Sequence, residues 1–131
     1  MEVVDIEKFN FPAHRHAKEP RNLGPLGTFN GHAKITGPCG DTMEFWLWID
    51  QGKIRKVSFL TDGCAPSLAA GSMTTCLAEE KTIAEAKALL QKDVLDALGG
   101  LPEDHEHCAL LAANTLAAAC DDYLKNTNTG G

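Results

Sequence analysis

The hydrophobic pattern of this chain changes its period once, near residue 63. Before that point, apolar residues alternate with other residues in three runs separated by short turns, and the runs cover residues 29–36, 43–50 and 54–61. After it, apolar residues recur about every three to four positions, which is typical of helices, whereas alternation is typical of strands. Three strands followed by helices predict an α+β fold, in which helices cover one face of a three-stranded antiparallel sheet.

The helical part of the pattern divides into several segments. The predicted helices cover residues 67–80, 82–90, 93–98 and about 103–124. Thr82 and Glu85 have the spacing of a capping box, so the second of these helices should begin at Thr82. Cys76 and Cys120 fall within the apolar sides of their helices, and we interpret them as small core residues. A weaker helical pattern precedes the strands, where Pro12 argues against one long helix.

The second strand carries apolar residues on both of its faces. Trp46 and Trp48 alternate with four other apolar residues between positions 43 and 49. An exposed pair of tryptophans usually means that something covers them. The pattern favours cover from within the chain, for example by the N-terminal segment, and a partner or a second protomer is the alternative.

Composition limits what the chain can bind and where it works. With 131 residues, of which 44% are hydrophobic, residues 1–131 can form one domain with its own core. The net charge of −6 argues against binding to nucleic acid or to an anionic membrane surface. The chain has no apolar run near the roughly 20 residues of a membrane span, and its acidic N-terminus lacks the features of a targeting peptide. We therefore expect a cytoplasmic protein whose thiols are reduced.

The two ends of the chain carry little that predicts a fixed structure. We expect residues 1–18 and 126–131 to be mobile, because few of their positions belong to a strong hydrophobic pattern. His14 and His16 could ligate a metal, but the pattern favours a solvated helix end for both.

Three of the five cysteines lie at predicted element boundaries. Cys39 lies in a turn, GPCGD at residues 37–41, that proline and glycine enforce; Cys64 precedes a helix, and Cys108 lies in the first turns of another. Helix N-termini stabilise thiolates, and thiolates are the soft ligands that iron–sulfur clusters need. These three cysteines therefore predict a site that holds iron and sulfur.

Asp41 and His107 are the candidates for a fourth ligand. A carboxylate is a hard ligand that holds a sulfide-bridged iron less well than a thiolate does, so a cluster completed by Asp41 should be labile. Each residue also has a structural interpretation, Asp41 as a turn residue that accepts backbone N–H bonds and His107 as a polar residue at a helix start. His105 lies at the same corner, and we expect it beside the site or in solvent.

Two other functions would use the same residues. Three cysteines with Asp41 or His107 would give a tetrahedral zinc site, in a structural zinc domain or in a sulfur-relay protein. A thiol enzyme would pair Cys108 with His107. Adjacent residues on a helix point about 100° apart, which is a poor geometry for a nucleophile and its base.

The order and spacing of several short segments resemble the IscU/NifU-type scaffold proteins of iron–sulfur cluster assembly. The resemblance extends over nearly the whole chain, and it includes GPCGD, with Cys39 and Asp41, and the pair His107–Cys108. The other similar segments are EPRNLG at 19–24, GKI at 52–54, FLTDGCA at 59–65, LP at 101–102, LA at 111–112 and DY at 122–123. None of these segments is decisive alone, but their order and spacing together are highly specific.

The resemblance implies both a fold and a chemistry. Its members have an α+β fold with a three-stranded antiparallel sheet, and they build a 2Fe-2S cluster on three cysteines, here Cys39, Cys64 and Cys108. Asp41 and His107 match the remaining positions, and either can ligate depending on the state. Iron is the metal that is loaded, and zinc can occupy the site of a purified scaffold.

The resemblance also implies a set of partners. A cysteine desulfurase supplies the sulfur, and Cys108 matches the usual persulfide acceptor. A ferredoxin is the implied electron donor, and the finished cluster passes to apo-proteins. A homodimer can couple two clusters into a 4Fe-4S form.

Two departures from the family's pattern concern the partners. Where IscU has Pro-Val-Lys after Leu-Pro, residues 103–105 are Glu-Asp-His, which argues against the Hsp70-type chaperone that grips the cationic segment. The zinc-dependent SufU branch, which stays the alternative as a sulfur-relay protein, carries an insertion before its last cysteine and lacks the neighbouring histidine. This chain has no evident insertion and keeps His107, so it sides with IscU and corresponds to the N-terminal domain of NifU alone.

Overall fold

The structure is a computed structural model that describes the backbone of residues 11–38 and 40–130. It describes the side chains of these residues except those at positions 11, 12, 14 and 127–130. Cys39 and His14 were both singled out in the sequence; Cys39 and the side chain of His14 lie outside the described part.

The sheet has the three antiparallel strands that the alternation predicts. In spatial order they are β1 (Gly31–Thr36), β2 (Thr42–Asp50) and β3 (Lys53–Thr61). Phe45 of β2 is paired with Ala33 of β1 and with Phe59 of β3. Gln51 and Gly52 join β2 to β3 with φ values of 55° and 79°, the left-handed conformations that a tight two-residue hairpin turn requires.

The helices follow the sheet, apart from one that precedes it. They are α1 (Phe11–Lys18), α2 (Ala65–Ala78), α3 (Ile83–Lys87), α4 (Gln91–Leu98) and α5 (His107–Gly130), with a short 3-10 turn at Glu103–His105. The predicted capping box is confirmed, since Thr82 N donates to Glu85 Oε1 (2.9 Å) and Glu85 N donates to Thr82 Oγ1 (3.2 Å). Within residues 11–38 and 40–130, no helix has the length and apolar character that crossing a lipid bilayer requires.

The core lies between the helices and one face of the sheet. The alternate residues of β2 from Met43 to Ile49 point into it and are at most 3% exposed. Helix α2 packs on β3, while α5 packs on β1 and β2. A Cβ at Gly31 would lie 2.8 Å from the carbonyl oxygen of Ala119, so α5 comes close to the backbone of β1. The α+β fold predicted from the sequence is thereby confirmed.

Helix α2 is buried on more sides than its predicted apolar stripe implies. It is surrounded by β3, α1, α4 and α5. Its buried residues are nearly all small, and they are Pro66, Ser67, Ala69, Ala70, Gly71, Ser72, Thr74, Thr75 and Ala78. The helical pattern places Leu68, Ala69, Ser72, Met73, Cys76 and Leu77 on that stripe, and four of them, Leu68, Met73, Cys76 and Leu77, are only half-buried. Small side chains allow four neighbours to approach the helix, so size decides the packing here more than a single apolar stripe does.

The described residues near the two ends of the chain are helical. Residues 11–18 form α1, which packs on α2, and His16 Nδ1 lies 2.6 Å from Ser72 Oγ. Helix α5 continues to Gly130, beyond the predicted end near residue 124. On α5, Cys120 is fully buried as predicted. The helical pattern also places Leu110 and Leu124 on the apolar side of this helix, but they are 43% and 37% exposed, so that part of the prediction is wrong.

Trp46 is covered by the chain itself, as the sequence favours, whereas Trp48 is only half-buried. Trp46 is 7% exposed, and the ring of His32 lies against it with a centroid distance of 5.5 Å. The segment before β1 also contributes: residues 22–24 pair with Phe59 at the free edge of β3, and residues 26–28 then border Trp48. The outer face of the sheet is therefore partly closed by residues 22–32.

Candidate metal centre

Three ligand-type side chains come together where the β1–β2 turn meets the start of α5. One oxygen of Asp41, one ring nitrogen of His107 and the sulfur of Cys108 all lie within 4.8 Å of one another. Asp41 and His107 are half-buried, whereas Cys108 is 1% exposed. Oxygen, imidazole nitrogen and sulfur at this spacing are a donor set that suits iron or zinc.

The β1–β2 turn holds Asp41 by its backbone. Gly37 N donates to the carbonyl oxygen of Asp41 (2.8 Å), and Gly40 N donates to the carbonyl oxygen of Gly37 (3.0 Å). Gly40 has a φ of 94°, a conformation that favours glycine over other residues. The residues on either side of position 39 thus form a tight turn, as the sequence predicts, and the turn projects the Asp41 carboxylate towards α5. Cys39 itself lies outside the described residues.

The beginning of α5 supplies the other two groups. His107 is the first residue of the helix, and Cys108 follows it, pointing into the protein. The 3-10 turn that precedes α5 carries His105, whose ring centroid lies 6.2 Å from that of His107. His105 is about one third exposed and does not belong to the three-residue group, in agreement with its predicted place beside the site.

Cys64 is a predicted ligand, but its sulfur lies outside the group formed by Asp41, His107 and Cys108. It is the N-cap of α2, it is exposed, and its thiol makes no capping hydrogen bond. Its sulfur is not among the described ligand atoms that lie within 4.8 Å of one another.

Hydrogen bonds tie the loop before α2 to the β1–β2 turn. Thr42 N donates to Asp62 Oδ1 (2.8 Å), and Thr61 Oγ1 donates to the carbonyl oxygen of Thr42 (2.7 Å). A Cβ at Gly63 would lie 2.9 Å from Asp41 Oδ2, so a residue with a side chain there would push into the site. The Gly63–Cys64 pair therefore brings the start of α2 against Asp41.

Ser67 is a polar residue of the site that the sequence did not single out. It is fully buried, and its hydroxyl donates to Asp41 Oδ2 (3.1 Å) and lies 3.4 Å from Cys108 Sγ. Its sequence signal is weak, because a serine three residues after a helix start is common for reasons of local hydrogen bonding.

The remaining described cysteines, Cys76 and Cys120, have raised pKa values. Burial raises the pKa of Cys120 to about 12, and Asp121 contributes to the increase. Burial, followed by the charge of Glu79, also raises the pKa of Cys76. Both thiols therefore stay protonated at neutral pH, which makes them poor metal ligands and poor nucleophiles.

Comparison with known proteins identifies the family. The profile of the NifU-like N terminal domain matches residues 11–129. The iron-sulfur cluster assembly scaffold protein IscU 1 of Archaeoglobus fulgidus is 39% identical over 111 residues, covering 84% of this chain and 72% of that protein. The scaffold protein IscU of Aquifex aeolicus is 38% identical over 120 residues, covering 89% of this chain and 76% of that protein.

The fold is also similar to that of a solved structure. A NifU-like N-terminal protein from Brucella abortus has a crystal structure that superposes with a TM-score of 0.72 and covers 95% of this chain and 99% of that one, at 18% identity. The predicted resemblance is confirmed by the family match and by relatives at this level of identity. The chain belongs to the family of the NifU-like N-terminal domain.

Proposed function

We propose that this protein is a scaffold on which an iron–sulfur cluster is assembled and then passed to apo-proteins, and that it is not a turnover enzyme. The observation that carries the proposal is the convergence of Asp41, His107 and Cys108 within 4.8 Å at the junction of a turn and a helix start. Membership of a family whose relatives are named cluster assembly scaffolds supports it.

The proposed ligands are the three cysteines Cys39, Cys64 and Cys108, with Asp41 or His107 at the fourth position. Thiolates match the iron of a 2Fe-2S cluster, and a carboxylate or an imidazole at one corner weakens the hold on it. A weakly held cluster suits a protein that must release it. A dimer would bring two such clusters together for conversion into a 4Fe-4S form.

Cys108 is the proposed acceptor of sulfur. Its thiolate attacks the terminal sulfur of a desulfurase persulfide, the sulfur–sulfur bond of that persulfide breaks, and the desulfurase thiolate leaves. The sulfur bound to Cys108 becomes sulfide after it receives two electrons, for which a ferredoxin is the proposed donor. Because Cys108 is 1% exposed, the side chains around it must move before a desulfurase can reach it.

Anaerobic reconstitution tests the proposed function directly. The purified protein is incubated with ferrous iron, cysteine and a cysteine desulfurase, and its visible spectrum, iron and acid-labile sulfide are measured. We expect a brown protein that contains sulfide and activates an apo-ferredoxin. A protein that stays colourless and retains one tightly bound zinc would contradict the proposal and support a zinc-dependent sulfur relay of the SufU kind.

A further inference from the structure

Ser67 links two of the three groups that form the candidate metal centre. Its hydroxyl oxygen lies 3.1 Å from Asp41 Oδ2 and 3.4 Å from Cys108 Sγ. Asp41 belongs to the β1–β2 turn, Cys108 belongs to α5, and Ser67 itself belongs to the first turn of α2. One hydroxyl therefore connects three separate elements at the point where they meet.

The hydrogen bonds of Ser67 have a defined direction. A hydroxyl group has one proton to donate, and here it is donated to the carboxylate of Asp41. In that arrangement the contact with Cys108 has the thiol as donor and the serine oxygen as acceptor. The single hydroxyl thus satisfies an acceptor on one side and a donor on the other, which fixes the orientations of both side chains.

Packing also fixes the position of Ser67 itself. The residue is fully buried, and a Cβ at Gly63 would lie 2.6 Å from Ser67 Cβ and 2.3 Å from Ser67 Oγ. The backbone at Gly63 therefore lies directly against the serine and restricts the rotation of its side chain. Helix α2, which is buried on most sides, provides a rigid base for this hydroxyl.

We propose that Ser67 is a positioning residue that holds Asp41 and Cys108 at ligand spacing before metal arrives. This inference rests on the proposed function, because it assigns Ser67 to the same site. Residues that orient metal ligands through hydrogen bonds typically change metal affinity by about 10- to 100-fold when they are replaced. The same range is the expected effect of removing the Ser67 hydroxyl.

The test measures metal affinity in the full-length apo-protein. Zn²⁺ affinity is determined by competition with a chromophoric chelator, and the Co²⁺ absorption spectrum reports the coordination geometry. We expect Ser67→Ala to bind Zn²⁺ about 10- to 100-fold more weakly than the wild type. Ser67→Thr keeps the hydroxyl and should restore most of the loss.

Ser72→Ala is the matched control. Ser72 lies on the same helix, is also fully buried, and also makes two hydrogen bonds, with His16 Nδ1 (2.6 Å) and Arg21 N (2.7 Å). It is not in contact with the metal-ligand group, so its replacement should leave Zn²⁺ affinity within about 3-fold of the wild type. An equal loss of affinity in the two serine variants would overturn the proposal, because it would reflect general disturbance of α2.

A double-mutant cycle with Asp41→Ala separates positioning from a merely structural effect. If Ser67 acts through Asp41, the loss of Zn²⁺ affinity caused by Ser67→Ala should be much smaller in the Asp41→Ala background than in the wild type. Independent, additive effects would refute the proposal, as would a Ser67→Ala protein with wild-type affinity or one without the wild-type circular dichroism. If the wild type itself binds neither Zn²⁺ nor Co²⁺ through thiolates, the proposed function fails. If the wild type binds them and Ser67→Ala binds them equally well, only the role of Ser67 fails.

Discussion

Gly71 offers a direct measure of how closely α2 packs on the sheet. A Cβ at this position would lie 2.3 Å from both Cδ2 and Cε2 of Phe59, and each contact would have to lengthen by about 1 Å to become an ordinary one. The backbone of Gly71 is helical, so its conformation is compatible with alanine, which gains about 1 kcal/mol in helix propensity. Overpacking opposes this gain by about 3 kcal/mol, because the fully buried Phe59 ring has no free space to enter. The overpacking penalty is larger than the gain in helix propensity, so Gly71→Ala should destabilise the protein by about 2 kcal/mol.

Thermal and urea unfolding followed by circular dichroism would check this value. For 131 residues, a loss of about 2 kcal/mol corresponds to a decrease in Tm of about 7 °C. Phe59→Leu, which makes room opposite Gly71, is the informative second change. In its background Gly71→Ala should cost nothing or stabilise by up to about 1 kcal/mol, since only the propensity gain remains. A Gly71→Ala protein as stable as the wild type, or an equal loss in both backgrounds, would refute the packing argument.

Three further predictions concern the cysteines, the carboxylate and the N-terminal helix. Replacing any one of the three proposed thiolate ligands by serine should abolish stable cluster assembly, whereas Cys76→Ala and Cys120→Ala should preserve it; iron and sulfide content after reconstitution decides, and equal loss in all five variants would contradict the assignment. Asp41→Ala should make the bound cluster longer-lived and its transfer slower, because the hard ligand is gone; faster decay of its visible absorption would show that Asp41 is a structural ligand. Burial, followed by the charges of Arg21 and Arg15, lowers the pKa of His16, so the unfolded chain binds a proton more readily than the folded one, and stability should fall as the pH decreases below about 6.5. Urea unfolding at several pH values should show a shallower pH dependence for His16→Gln, and an unchanged one would contradict this.

Local patterns were enough to predict the elements of the fold. Alternation depends on residues two apart and helical periodicity on residues three to four apart, so both can be read from the chain itself. The three strands, the capping box at Thr82 and the turn before Asp41 all belong to this class. The candidate ligands followed from cysteines at predicted element boundaries with Asp41 and His107 near them, and the resemblance to a known family added their expected roles.

Long-range packing explains what the sequence did not predict. The apolar stripe expected on α2 fails because four elements surround that helix, and no residue within the helix reports how many neighbours it will have. Residues 22–24 lie outside the predicted strands, yet they pair with Phe59 and help to cover the outer face of the sheet. Ser67 became a site residue only because Asp41, which lies 26 positions earlier, comes within hydrogen-bond distance.

Cys64 and Cys108, the two proposed cysteine ligands that the structure describes, differ sharply in exposure, and this difference bears on how a cluster could be loaded. Cys64 is exposed at the start of α2, whereas Cys108 is 1% exposed behind Ser67 and Asp41. A site that binds a preformed ion could keep such a buried thiol, but a thiol that receives sulfur from another protein must first become accessible. Ser67 donates to Asp41 Oδ2 and lies 3.4 Å from Cys108 Sγ, so these contacts are among those that access to Cys108 would have to break.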